Sequence, residues 1–352
     1  LEYMFKHALT QESVYSGLIK KERRRIHTQI AEVIESLFDN RLSEFYETLA
    51  FHYAHSNSTT KAVTYLVKAG EKSLARYSVG EAHHYFKQAY DILSSKKEIS
   101  EADKTQLIDV INNWSYAYYY SGEIEEWCEL LTTNLSLSQS VEDGAKLGMY
   151  NVWLGVAYGL VGRLSDGHNC LLTALELGEK SNSFIVIGYA NTFLSWACLW
   201  MGRFDEANIY GRQALKISDS FPSDQYLFFK SLVSICYAHY FRGETNELFR
   251  EAQRLIDYGE KTSNSRSKVF GHWAKALGYL TKGEMALVKK ESQKSIEVAV
   301  DPFFSQFANT TFGISYLLNG QLNEAEDKFR LLLNFGKNHG VGFFTQLANL
   351  YL

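Results

Sequence analysis

The sequence predicts an all-α fold, a solenoid of stacked antiparallel helical hairpins that repeats about every 40 residues. Three observations carry that expectation. Gly122, Gly162, Gly202, Gly243, Gly283 and Gly320 recur at intervals of 40, 40, 41, 40 and 37 residues. Only 2 prolines occur in 352 residues, where average usage of about 5% would give roughly 18, so an architecture of short strands and many loops is disfavoured. Apolar residues keep helical spacing between the glycines, as in Ala207, Gly211, Ala214 and Leu215, or Ala325, Phe329 and Leu332.

Taken in order, residues 1–41 do not fit the period and read as a short piece followed by one or two helices with a basic stretch. Residues 42–100 hold less regular helices, one marked by Ala62, Leu66 and Ala69 and another by Ala82, Phe86 and Ala89. Lys96 to Asp103 (KKEISEAD) reads as a linker, and residues 101–352 form the regular array, ending with Gly342 to Leu352 as a first helix without its partner. Each periodic glycine follows an aromatic-rich first helix and precedes an amphipathic second one, because glycine takes positive φ at no steric cost and ends a helix in a tight turn. Helices of about 16 to 19 residues follow, about eighteen in all, with no strands. Pro222 and Pro302 lie two periods apart near first-helix starts, and Asp301 is placed to cap the second of these. The runs GEKSNS from Gly178 and GEKTSNS from Gly259 mark second-helix ends, where lysine complements the helix dipole.

Several function classes are disfavoured on the same reading. With 36 basic and 40 acidic residues the net charge is −4, which creates no field for gathering nucleic acid or anionic membrane. The 4 cysteines, Cys128, Cys170, Cys198 and Cys236, form no C-x-x-C pair and fit buried thiols of a cytoplasmic protein. Ser181 to Gly202 is free of charge and long enough to span a bilayer. Similar windows at Leu147 to Gly162 and Pro302 to Asn323 recur at the same phase, however, and all three carry Asn, Ser, Thr or Gly, as helices buried by neighbouring helices do. No phosphate loop is present, since Gly70 to Ser73 (GEKS) lacks the preceding glycine loop, and neither G-x-S-x-G nor H-E-x-x-H occurs. His52 with His55, and His83 with His84, have no obvious third ligand, so no metal and no cofactor are expected, and no residue is assigned a catalytic role. The basic run Lys20, Lys21, Arg23, Arg24 and Arg25 is offset by Glu22, Glu32 and Glu35 and reads as a solvated or docking face, with phosphate or nucleic-acid binding the weaker alternative.

The spacing resembles the tetratricopeptide repeat. The unit around Gly202 carries Leu194, Ser195, Gly202, Phe204, Ala207 and Ala214 in that family's order, and the unit around Gly162 carries Leu154, Gly155, Tyr158, Gly162, Leu164 and Ala174. The resemblance covers roughly residues 42 to 352 and implies a right-handed superhelix whose first helices line a concave face. The period exceeds the family's usual repeat of about 34 residues, which is similar to the longer-helix repeats of bacterial signalling ATPases and regulators. Trp127, Leu248 and Val288 stand at the usual alanine position, so those helix pairs are expected to splay. FKHALTQESVY followed by RRRIHTQIAEVIE resembles the junction between the nucleotide-binding module and the repeats of bacterial signalling ATPases, often joined to class III adenylate or guanylate cyclase domains. That resemblance, with a chain opening at Leu1 rather than Met, implies the regulatory part of a longer polypeptide. It makes His7 a candidate nucleotide sensor, against the plainer reading of a packing histidine at a junction.

Projecting the family's geometry places Tyr116, Tyr119, Tyr120, Trp196, Trp200, Tyr237, Tyr240, Phe241, Phe270 and Trp273 toward the concave groove, with Lys230 and Asn112 as polar contacts. Such aromatics serve as binding anchors, though the same residues fit a packed core. The expected function is a non-enzymatic scaffold holding a protein or peptide in this groove, the partner being a separate chain or another domain of the same polypeptide. A small-ligand sensor with a pocket inside the superhelix is the first alternative, and a homo-oligomerisation module the second.

Overall fold

A computed structural model describes residues 15–352, which divide into two compact units, one up to Ala117 and one from Tyr118 onward. The run FKHALTQESV and His7 lie outside the described residues.

The first unit contains α1 (Lys20–Leu37), a 3-10 turn, α2 (Tyr46–Ala54), α3 (Thr59–Ala75), α4 (Val79–Ser94) and most of α5 (Glu101–Ser121). Ala62, Leu66, Ala69, Ala82, Phe86 and Ala89 are all buried, as their spacing predicts. Gly70 belongs to α3, where it leaves room for the Phe86 ring: a Cβ there would sit 2.7 Å from it. The GEKS string is therefore a helix contact.

The second unit continues with α6 (Ile124–Thr133), α7 (Leu135–Gln139), α8 (Gly144–Leu160), α9 (Leu164–Lys180), α10 (Phe184–Trp200), α11 (Phe204–Ser218), α12 (Gln225–Arg242) and α13 (Thr245–Thr262). It ends with α14 (Ser265–Thr281), α15 (Met285–Glu297), α16 (Pro302–Leu318), α17 (Leu322–Asn338) and α18 (Gly342–Tyr351). All the described residues in regular elements are helical. The six periodic glycines all have φ between 71° and 97°. After Gly202 the Arg203 N–H reaches back to the Cys198 carbonyl at 2.8 Å, the Schellman closure. The two repeated serine-rich runs end second helices in the same way, with Asn182 and Ser263 taking the left-handed conformation. Pro302 opens α16, whereas Pro222 lies in the turn before α12, whose start is capped by the Asp224 carboxylate accepting from Leu227 N–H at 3.0 Å.

Successive first helices, α8, α10, α12, α14 and α16, pack against one another from hairpin to hairpin, while the second helices lie on the outer side. That wedge bends the array, and the bend closes on itself. Ile124 N–H donates to the His339 carbonyl at 3.0 Å. Gly340 and Gly342 lie so near Glu125 and the Val161 carbonyl that a side chain at either would collide. Tyr119 meets Phe303 and Phe304 with ring centroids 5.3 and 5.7 Å apart. The inner helices thus enclose a packed aromatic interior, which explains why α10 has no charges: it is covered on nearly every side, and its Thr192 and Ser195 hydroxyls find partners at Gly188, Ser231 and Ala207. Among the described residues, no helix is long and apolar enough to cross a membrane.

Asp301 stands at the N-cap of α16 but does not cap it with its side chain. Its carboxylate instead takes two hydrogen bonds from Arg266, at 2.6 and 2.9 Å, and the guanidinium lies 3.5 Å from the Tyr120 ring centroid. Both charges are buried, tying the starts of α14 and α16 together. Removing one partner strands the other in a low dielectric, so Asp301→Ala should lower the unfolding free energy by about 3–5 kcal/mol in urea titration. Replacing both, with Arg266→Met and Asp301→Leu, should lose much less.

Candidate functional site

The aromatic stripe read from the sequence separates into an interior set and a mouth. Tyr119, Tyr120, Trp196, Phe270 and Trp273 are buried, as is Lys230. Trp200, Tyr237 and Tyr240 are half-buried, Phe241 is 43% exposed, and the half-buried Tyr116 belongs with Asn112 to the first unit. The split has a physical cause: α16 and α18 fill the space that an open superhelix would leave in front of α10, α12 and α14.

Lys230, 2% exposed on α12, holds its ammonium among ring faces. Nζ lies 4.3 Å from the Trp196 ring centroid, 5.0 Å from Phe270, 5.3 Å from Tyr119 and 5.5 Å from Phe304. Among the described residues it has no hydrogen-bond or carboxylate partner. Ring quadrupoles recover part of the lost hydration but not all of it, so burial pushes the lysine well below its ordinary range. A void of about 10 Å³ beside it, also lined by Trp200 and Phe307, holds one water at most. The buried indole N–H groups of Trp196, Trp200 and Trp273 likewise meet no acceptor among the described residues. The interior is rich in donors and short of acceptors.

Trp200 also forms one wall of an open apolar groove of about 420 Å³ at the mouth. Tyr237 and Phe241 line it from α12, and Phe343, Gln346, Leu347 and Leu350 from α18. The α18 residues were missed in the sequence because they enter through closure of the turn, which a repeat pattern does not encode. Their signal was only that Phe343, Leu347 and Leu350 share one helix face.

The remaining candidates are accounted for locally. His83 accepts from the Trp114 indole at 2.9 Å, His84 pairs with Gln88, and His52 meets His27. Among the described residues no group of three His, Cys, Asp or Glu is arranged to hold a metal. Cys198 and Cys236 are buried, which pushes the first thiol up to about 11 and the second well above its usual value. Neither is a thiolate at neutral pH.

No family model matches the chain. An uncharacterized protein of Rhizobium meliloti (strain 1021) is 25% identical over 108 residues, covering 30% of this chain but only 10% of that protein. Solved structures match far more of it. A Rap protein complexed with competence and sporulation factor superposes with TM-score 0.66 at 12% identity, covering 96% of this chain and 98% of that one. The Rap conjugation gene regulator of plasmid pLS20, in complex with the Phr* peptide, gives 0.61 at 16% identity over 85% and 77% of the two chains. The apo form of RapI gives 0.58 at 14% identity over 78% and 97%. The fold is a tetratricopeptide-type solenoid. At such identities the likeness concerns the fold alone.

The uncompensated ammonium gives a stability prediction. Lys230→Met should raise the unfolding free energy near neutral pH. With the folded lysine depressed below the unfolded value near 10.5, the native state loses its proton first. Wild-type stability should therefore rise relative to Lys230→Met as pH climbs toward 10.5, read by urea unfolding at successive pH values.

Proposed function

We propose that this chain is a non-catalytic peptide-binding scaffold whose groove at the mouth of the second unit takes apolar side chains, while Lys230 takes a carboxylate of the same peptide. The observation that carries this reading is a buried cation with no anion, separated by Trp200 from an open apolar groove. A carboxylate reaching inward past a rotated Trp200 would supply the missing charge, and peptide carbonyls would satisfy the stranded indole donors. Two of the similar solved structures are complexes with a competence and sporulation factor and with the Phr* peptide, which supports a peptide as the occupant. The enclosed void of about 10 Å³ is too small for an organic ligand, so a small molecule sealed in the interior is the less favoured reading. The resemblance of the amino-terminal run supports a place as the regulatory end of a signalling ATPase or nucleotide cyclase.

The test is selection from a random hexapeptide library on the purified chain, followed by calorimetry of the selected peptides. Peptides with a free carboxylate should bind at least tenfold more tightly than their amidated forms, about 1.4 kcal/mol. Lys230→Met should abolish that difference, and Trp200→Ala should weaken every selected peptide. Selected peptides indifferent to both substitutions would overturn the groove as the site.

A further inference from the structure

The basic run of α1, which peptide binding leaves unused, forms one wall of a concavity in the first unit. Lys20, Arg23 and Arg24 stand at i, i+3 and i+4 on one face of α1. They face His55 and Ser56 at the end of α2, with Tyr15 alongside, around an open pocket of about 280 Å³. Among the described residues no acidic side chain lines it. The one acid within the run, Glu22, is held by Arg25 outside the pocket, its Oε2 accepting from Arg25 Nε at 3.0 Å.

Three cations therefore converge with little to neutralise them. Among the described residues Arg24 donates only to the neutral Asn57 amide oxygen, at 3.2 Å. Arg23 lies 5.2 Å from the Tyr15 ring centroid, and its Nε is buried without an acceptor among the described residues. His55 donates Nδ1–H to the Phe51 carbonyl at 2.8 Å, which fixes its tautomer and leaves Nε2 uncommitted in that bond. Among the described residues no side chain caps the start of α1, so its positive dipole end adds to the field.

We propose that this pocket binds the phosphoryl group of a small phosphate monoester. Two guanidinium groups and an ammonium match a compact dianion better than a single carboxylate, since planar forks engage phosphate oxygens in pairs. The volume is at the lower end of small-molecule sites, with space beyond the phosphoryl oxygens for a short organic group against Tyr15 and Ala54. The cations form one wall of a concavity that Tyr15, Ala54, His55 and Ser56 close on the other side, which favours a small ester over a nucleic-acid backbone.

The test uses phenyl phosphate, inorganic phosphate and benzoate, titrated by calorimetry into the purified chain in low-salt, phosphate-free buffer. Phenyl phosphate should bind with Kd below about 10 mM, at least tenfold tighter than inorganic phosphate, and benzoate should give no heat of binding. Arg24→Gln, an exposed position where folding is not at risk, should weaken phenyl phosphate at least tenfold, and Arg23→Gln likewise where its thermal melt is unchanged. Lys21→Gln, from the same run but outside the pocket and with no part in holding Glu22, should leave binding within twofold. Absence of phenyl phosphate binding, equal binding of benzoate or inorganic phosphate, or equal losses in Lys21→Gln and Arg24→Gln would each overturn the proposal.

Discussion

The constraint on which the second unit depends is the meeting of its two ends. A row of helical hairpins has no requirement to close; each repeat needs only its neighbours to cover its apolar face. Here the turn between α17 and α18 docks on the start of α6 through a backbone hydrogen bond and Gly340, and the first residue of α18, Gly342, docks on the end of α8, each glycine standing where a Cβ would collide. Once that seam forms, the concave face stops being a surface. Rings from α5, α10, α12, α14 and α16 pack against each other, and side chains that would line an open trough become a core.

Closure also explains the unusual electrostatics. A lysine on the inner face of an open superhelix would be solvated and ordinary. Enclosed by Trp196, Phe270, Tyr119 and Phe304, the same lysine loses its water and gains only ring faces. The Arg266–Asp301 pair occupies a comparable depth, yet each charge there has its counter-ion. That contrast isolates Lys230 as the group with no electrostatic complement among the described residues.

Much of the architecture was legible in the residues. Periodic glycines give helix ends because positive φ is a local demand, and Ala62, Leu66 and Ala69, or Ala207 and Ala214, give buried faces because helical spacing is local too. Asp301 shows the limit of local reading: its place before Pro302 is that of a cap, and a tertiary partner, Arg266, takes its carboxylate instead. The site was legible in part for the same reason. Trp200, Tyr237 and Phe241 could be found from their hairpins, whereas Phe343 and Leu350 reach the groove only through a contact between distant hairpins.

The seam joining Ile124 to His339 has a consequence for how the second unit folds. In an open array contacts are short in sequence, and terminal repeats fray independently. A bond spanning over two hundred positions raises the contact order and delays sealing of the interior until the last hairpin arrives. The array then melts as a single cooperative body, because loss of either terminal helix floods the aromatic centre with water.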